Sequence, residues 1–345
     1  MMFQNVARRS WLLLSALVLG TLWPAAVQAQ ETPAISQYRR WVTGTSFSPD
    51  GAKLATVGGE SLLYRPGDVT LWDPKSGQQL ASFAGHPTCV WCVAFSPDGT
   101  LLATGGYDGT VKIWDVAAAQ EKASIAAHKN WVTSVAFSPD GLTLATASDD
   151  TTVKLWKVAD NTEIGPLAGH SGGVFRVAFS PDGQTIATGS SDKTVRLWNT
   201  ADRTEKAKLE GHSDLVRGLA FTRDGSKLAS AGADRKILIW DLAALPANKV
   251  LEGHKDWIVD LSFGPDGRLA SAGHDQTVRL WDIASGQTTS LLDNYTSAVW
   301  AVAFSPDGTA LATGSQRDSI KVWEFGAPRE RFPAPVTENP QAANK

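Results

Sequence analysis

The sequence predicts an all-β fold of seven four-stranded antiparallel sheets stacked radially into a closed ring, and three observations carry that prediction. The first is a period. His86, His128, His170, His212 and His254 stand 42 residues apart at every step, which marks an array of repeated supersecondary units. Trp72, Trp114, Trp156, Trp198 and Trp240 keep the same step, Trp281 follows at 41 and Trp323 at 42, so seven copies are present. The first copy has Tyr38 at the His position and six extra residues in its middle, and the last has Tyr295 there. The second observation is the run-turn-run pattern inside each copy. The third is a burial argument: one four-stranded sheet of this length cannot bury both its faces, and stacking copies around a channel closes the array without free ends.

Within one copy, Val90, Val93, Ala94 and Phe95 form an apolar run that stops at Ser96-Pro97-Asp98-Gly99, and Leu101-Leu102-Ala103 begins a second. Proline pre-sets φ inside the turn and glycine supplies the positive φ after it, so the pattern predicts a hairpin. It recurs seven times, at Ser48-Pro49-Asp50-Gly51, at the turns ending in Gly99, Gly141 and Gly183, and as Thr222-Arg223-Asp224-Gly225, Gly264-Pro265-Asp266-Gly267 and Ser305-Pro306-Asp307-Gly308. Thr110-Val111-Lys112-Ile113-Trp114 alternates as a half-buried third strand should. The fourth, at residues 121–125, 205–209 and 249–251, is more charged, as suits a solvated edge that resists pairing with other molecules.

Gly-His at the start of the unit, Ser-Pro-Asp-Gly in its first turn and Trp-Asp at the close of its third strand resemble the WD-repeat β-propeller family over about residues 32–332. The resemblance implies a seven-bladed β-propeller of four-stranded antiparallel blades. Trp156-Lys157, Trp198-Asn199 and Trp323-Glu324 lack the Asp of the signature, and Ala127-His128 replaces Gly-His; none of these breaks the strand pattern.

Residues 1–29 hold Arg8 and Arg9 and no acid, then an apolar stretch over 11–22, Pro24, and the small-residue end Val27-Gln28-Ala29. This reads as a secretory signal peptide, with the propeller at 30–332 and a Pro, Ala and Asn-rich disordered tail at 333–345. The apolar stretch is too short for a membrane anchor, and no cysteine near the cut could carry a lipid. An exported chain, periplasmic or extracellular, without stable membrane insertion is expected, and as a monomer. A twin-arginine signal is disfavoured because the residues flanking Arg8-Arg9 do not fit. Removing those two from 32 basic residues leaves 30 against 35 acidic, a formal charge of −5, which disfavours nucleic acid as a partner.

Cys89 and Cys92 form a Cys-x-x-Cys, which raises redox, haem and disulfide readings. Haem attachment wants His next, where Val93 stands, and redox motifs sit at a helix start rather than a strand start. Residues three apart in a regular strand point to opposite faces, so a bridge needs a bulge. A small residue at each place, with no chemistry of its own, is the expectation.

Five evenly spaced histidines invite a metal reading, which the family resemblance replaces with a buried hydrogen-bond network of His, a turn Asp, a second-strand Ser or Thr, and the Trp. It implies His86 with Asp108, Thr104 and Trp114; His128 with Asp150, Thr146 and Trp156; His170 with Asp192, Thr188 and Trp198; His212 with Asp234, Ser230 and Trp240; and His254 with Asp275, Ser271 and Trp281. Where His becomes Tyr38 or Tyr295, the Asp position is Pro66 or Arg317. A buried carboxylate without its donor costs about 1–3 kcal/mol, so paired loss is what such a network predicts.

With those histidines assigned, only His274 is spare, and no nucleophile elbow, oxyanion loop or phosphate-binding glycine loop is present. No enzyme activity, cofactor or metal is expected; the expected role is a scaffold for a protein or peptide partner, with lectin-like or small-ligand binding at the channel mouth as the alternative. Of fourteen tryptophans, five lie just after the His position: Trp41, Trp131 and Trp257 at offset three, Trp91 and Trp300 at offset five, where Phe175 and Arg217 stand in two other repeats. Core positions are at offsets four, seven and nine, so alternation puts offsets three and five on the other face, ringing the channel mouth. The turns before the third strands add Tyr107, Asp149, Ser191 and His274, and the insertion adds Leu62, Leu63, Tyr64 and Arg65. In the resembled family this is the face of partner docking. Burial as a plug is the competing reading; interface anchors are commonly exposed aromatics.

The last blade's fourth strand has two candidates. Residues 32–36 match a fourth strand in register with Tyr38, and residues 329–332 also fit, though Pro328 and Pro333 bracket them. The N-terminal strand is the expected latch.

Overall fold

The computed structural model describes residues 30–31, 41–59, 66–245, 248–317 and 320–325. Residues 1–29, expected to be a signal segment, Tyr38, the insertion residues Leu62, Leu63, Tyr64 and Arg65, and residues 333–345 lie outside them. The described chain is all-β, without a helix: seven four-stranded antiparallel blades form a β-propeller. The second blade shows the pattern, with Val90–Phe95 innermost, then Leu101–Gly106, Thr110–Asp115 and, at the rim, Gln120–Ala126.

Six blades keep strand order and sequence order together, and the seventh closes the ring. There Gln30–Glu31 lies outside Ile320–Glu324, followed inward by Ala310–Ser315 and Val299–Phe304. Glu31 faces Trp323, as Glu121, Glu163 and Glu205 face Trp114, Trp156 and Trp198. Each of those glutamates stands seven residues before its His, and Glu31 stands seven before Tyr38, so the N-terminal segment takes the register of an ordinary outer strand. The expected latch at 32–36 and its competitor at 329–332 are outside the described residues; the pairing seen begins two residues earlier.

The apolar core lies between blades. Ala145, Val153, Leu155 and Leu167 of the third pack on Val174, Val177, Ile186 and Trp198 of the fourth, and similar clusters fill the other junctions. Closure is also apolar, because Ala312, Ile320 and Val322 of the seventh blade meet Val42, Leu54 and Trp72 of the first. Trp114, Trp198, Trp240 and Trp281 are fully buried there, each a large hydrophobic contribution.

The inner turns explain the Ser-Pro-Asp-Gly repeat. Ser96 Oγ donates to Asp98 Oδ1 and accepts the Leu101 amide at 2.9 Å, while Gly99 sits at φ 71° and its amide reaches the Ser96 carbonyl. Those bonds hold the Asp98 carboxyl below its usual value, the Ser96 hydroxyl contributing most. Thr222 does the same for Asp224, held down at about 2.

One departure from regular alternation recurs in every blade. The innermost strand carries a bulge at the fifth residue after the His position, as where Val132 and Ser134 face Ser148 and Ala147. The extra residue is displaced from the ladder. That is why offsets four and seven both face the core although three apart.

Candidate functional site

The bulged residues are Thr43, Trp91, Thr133, Phe175, Arg217, Val259 and Trp300, one per blade, and all seven line a single cavity of about 50 Å³ at the channel mouth. Trp131 and Arg176 complete its wall. The bulge is the device that assembles the site: it turns one side chain per blade out of the sheet and toward the axis. Thr43 and Thr133 also lock neighbouring blades, their hydroxyls donating to the carbonyls of Val90 and Val174 at 2.6 and 2.5 Å.

The aromatic residues make a continuous chain. Trp300 meets Trp91 at 5.9 Å between ring centroids, Trp91 meets Trp131 at 5.0 Å, and Trp131 meets Phe175 at 6.4 Å. The Arg217 guanidinium closes the circle, 4.8 Å from the Phe175 ring and 6.0 Å from Trp300. Trp41 stacks on Trp300, Tyr107 leans on Trp131, and His274 lies between Trp257 at 5.5 Å and Trp300 at 4.5 Å. His274 reaches that place because its amide bonds the Trp257 carbonyl at 2.8 Å. Trp257 is the exposed member, at 38%; the others are half-buried.

Four polar atoms in this cluster are buried without a hydrogen-bond partner among the described residues: Trp91 Nε1, Trp300 Nε1, Arg217 Nε and His274 Nε2. Burial lowers the Arg217 pKa, and the Asp149 charge offsets part of that. Burial, then the Arg217 charge, keeps His274 below its usual value. Asp149 accepts from Asn130 Nδ2 at 2.8 Å and the Ser191 amide donates to the Gly173 carbonyl, so both sit on the rim and neither joins the aromatic cluster.

Sequence reasoning overlooked Thr43, Thr133, Val259, Arg176 and Asp260. The first three were visible at offset five had every repeat been read there. Arg176 and Asp260, both at offset six, pair across the channel under the mouth, and Asp260 also accepts the amides of Leu261 and Val302 at 2.9 and 3.0 Å. Burial raises the Asp260 pKa, against the Arg176 charge.

The histidines lie elsewhere, between blades. His128, His170, His212 and His254 place Nδ1 2.8–3.1 Å from Asp150, Asp192, Asp234 and Asp275. Nε2 lies 2.7–2.8 Å from Thr146, Thr188, Ser230 and Ser271, whose hydroxyls accept from Trp156, Trp198, Trp240 and Trp281. A carboxylate only accepts, so Nδ1 carries a proton, and the hydroxyl, already accepting from the indole, can donate to Nε2 of a neutral ring. Asp234, His212 and Ser230 thus share the connectivity of a nucleophilic triad. Ser230 is fully buried and its oxygen already takes the Trp240 N–H, so no substrate carbonyl can reach it. In the last blade the Tyr295 hydroxyl accepts from Trp323 at 2.9 Å and bonds Thr313 at 2.7 Å.

The expected His86–Asp108 link is not made. His86 reaches Thr104 at 2.7 Å and Trp114 reaches the same oxygen, but Asp108 is exposed and turns to Thr110. In the other four blades the residue after His donates its amide to the Asp: Lys129, Ser171, Ser213 and Lys255. Here that residue is Pro87, which has no N–H. His86 Nδ1 finds no partner among the described residues, and burial pushes the ring down to about 4.

Cys89 and Cys92 are free, buried thiols, each pushed up to about 12 by burial. Neither has the thiolate character that redox or nucleophilic work needs.

A family model described as WD domain, G-beta repeat matches residues 77–115, 119–157, 161–199, 203–241, 247–282 and 286–324. Among curated proteins, the serine-threonine kinase receptor-associated protein of Homo sapiens is 37% identical over 70 residues, 20% of this chain and 18% of that protein. Eukaryotic translation initiation factor 3 subunit I of Pyricularia oryzae is 30% identical over 77 residues, 22% of this chain and 21% of that one. Telomerase protein component 1 of Mus musculus is 41% identical over 70 residues, 20% of this chain and 2% of that protein. The matched stretches span at most about a fifth of these relatives. With six repeats matched in turn and a further blade built on the same plan at residues 41–59 and 67–83, the chain belongs to the WD40 repeat family.

Proposed function

We propose that this chain is a non-enzymatic, exported scaffold that docks a protein or peptide partner on the aromatic face around the channel mouth. The observation that carries the reading is the ring of Trp300, Trp91, Trp131, Phe175 and Arg217 about an open cavity, with Trp257 exposed beside it. Half-buried tryptophan and arginine around a pocket is the composition of interface hot spots. The relatives' names, a receptor-associated protein and a factor subunit, agree with a role in assemblies. Export rests on the signal-type segment at residues 1–29. The non-enzymatic reading rests on the full burial of Thr104, Thr146, Thr188, Ser230 and Ser271, the hydroxyls that meet histidine Nε2.

Replacing Trp131 and Trp257 together by alanine tests the face. The loss of unfolding free energy should be well short of the ~3–5 kcal/mol that truncating a core tryptophan costs, while the protein retained by the wild type, identified by mass spectrometry and purified, should no longer bind. Undiminished binding by the double variant would remove this face from the interaction. A glycan that raises the melting point when no protein is retained would favour the lectin-like alternative.

A further inference from the structure

The mouth of the channel holds a cation with no counter-charge in contact. Arg217 forms no ion pair among the described residues, whereas Arg176, Arg196 and Arg268 each have one. Its guanidinium lies over Phe175, Trp257 and Trp300 at 4.8, 5.9 and 6.0 Å. Such stacking holds the side chain without satisfying its N–H donors. Arg217 Nε is buried and unpartnered, as are the indole N–H groups of Trp91 and Trp300, and these three residues line one cavity. Buried donors are seldom left without an acceptor, and an arginine fork flanked by two further donors suits a carboxylate.

The guanidinium occupies the aromatic box itself, so a cationic ligand would meet like charge where it would otherwise find π faces. Below the mouth the Arg176–Asp260 pair spans the channel, so the Arg176 charge already has its counter-charge. At about 50 Å³ the cavity has room for roughly four waters by the minimum each needs, enough for one carboxylate and not for a folded element. The wider rim of Trp131, Tyr107 and Trp257 is left to cover flanking residues. The chain as a whole is acidic, so attraction for an acidic group belongs to this spot and not to the net field.

From this we infer that the channel mouth seats the side-chain carboxylate of an acidic segment of the partner, held by Arg217 with the Trp91 and Trp300 indoles. This rests on the docking face proposed above and specifies the chemistry that face selects.

The test titrates the whole chain with capped hexapeptides alternating glycine with glutamate, glutamine or lysine, and with sodium acetate, followed by tryptophan fluorescence at low salt. The glutamate peptide should bind at least about tenfold more tightly than its glutamine twin, and the lysine peptide should not compete. Arg217→Met should remove the preference for glutamate while leaving the melting point unchanged or higher, since a buried unpaired charge is lost; Arg217→Lys should keep part of it. Equal binding of the glutamate and glutamine peptides, or none, overturns the inference, as does a preference that survives Arg217→Met. A marked fall in melting point in that variant would make Arg217 a structural member of the plug. Acetate binding as tightly as the peptide would replace the partner segment by a free small carboxylate. Loss of partner binding on replacing Trp131 and Trp257, without a glutamate preference, would leave the docking face standing and this inference refuted; partner binding retained by that double variant would refute the face itself.

Discussion

At the scale of single residues, Pro87 shows how one missing hydrogen undoes a repeated network. Without its N–H, Asp108 leaves the His86 ring, and His86 remains buried and neutral with its pKa down at about 4. Between pH 6.5 and 4 the unfolded chain therefore binds a proton that the folded chain refuses, so stability is lost as pH falls through that window. His128 and His170 shift in the same direction, burial being the main cause. Below pH 3.8 a second loss begins. Burial alone would raise the carboxyls of Asp192 and Asp275, but bonds from Thr194 and His170, and from His254, hold both at about 2. Their contribution, full above the unfolded value, disappears toward that pH. The expected outcome is a fall of about 2 kcal/mol in urea-derived stability from pH 7 to pH 5 through His86, and a smaller fall in His86→Gln. Identical pH profiles for the two proteins would show that His86 does not titrate across this window.

At the scale of strands, the latch decides whether the array is a ring. Gln30–Glu31 pairs outside Ile320–Glu324 in the register of an ordinary fourth strand, so a strand from before the first blade completes the sheet of the last. Removing residues 30–36 should lower the melting point of the whole propeller cooperatively, because the seventh blade loses its outer strand while the apolar junction of Leu54 and Trp72 with Val322 is left to hold closure alone. Removing residues 336–345 should leave the melting point unchanged; the opposite pattern in calorimetry would reassign the latch. The turns and third strands were legible because proline, glycine and period-two alternation act locally. The inner bulge was not, since the displaced residue may be Thr, Trp, Phe, Arg or Val and has no composition of its own; only its effect, core positions three apart, could be read.

For the molecule as a whole, the Arg176–Asp260 pair ties blade four to blade six across 84 residues, and the second Asp260 oxygen holds the Val302 amide of blade seven. Breaking such a pair leaves a buried charge, here mainly on Asp260, whose side chain is 6% exposed against 29% for Arg176. Arg176→Met should cost ~3 kcal/mol at pH 8. The difference from wild type should narrow at pH 5, because an acid whose folded pKa is raised keeps its proton in the folded state, and that stability is lost as pH rises. A deficit that does not change between the two pH values, measured by parallel urea melts, would mean that Asp260 stays paired or hydrated without Arg176.

By itself the sequence determined seven units, their turns and third strands, and the offsets that carry aromatic side chains to the mouth, because a fixed period transmits every local preference to each copy; the histidine network came from the family resemblance, and only the structure shows Asp108 standing outside it. It ranked Asp149 and Ser191 beside Tyr107 and His274, and only the structure separates them: Tyr107 and His274 lie against tryptophans and the other two do not. Which bulged side chains touch, that Arg217 stands unpaired among them, and that Arg176 finds Asp260 depend on the angle at which the ring closes. That angle brings together residues of blades that are not neighbours in the chain, and no spacing within a repeat encodes it.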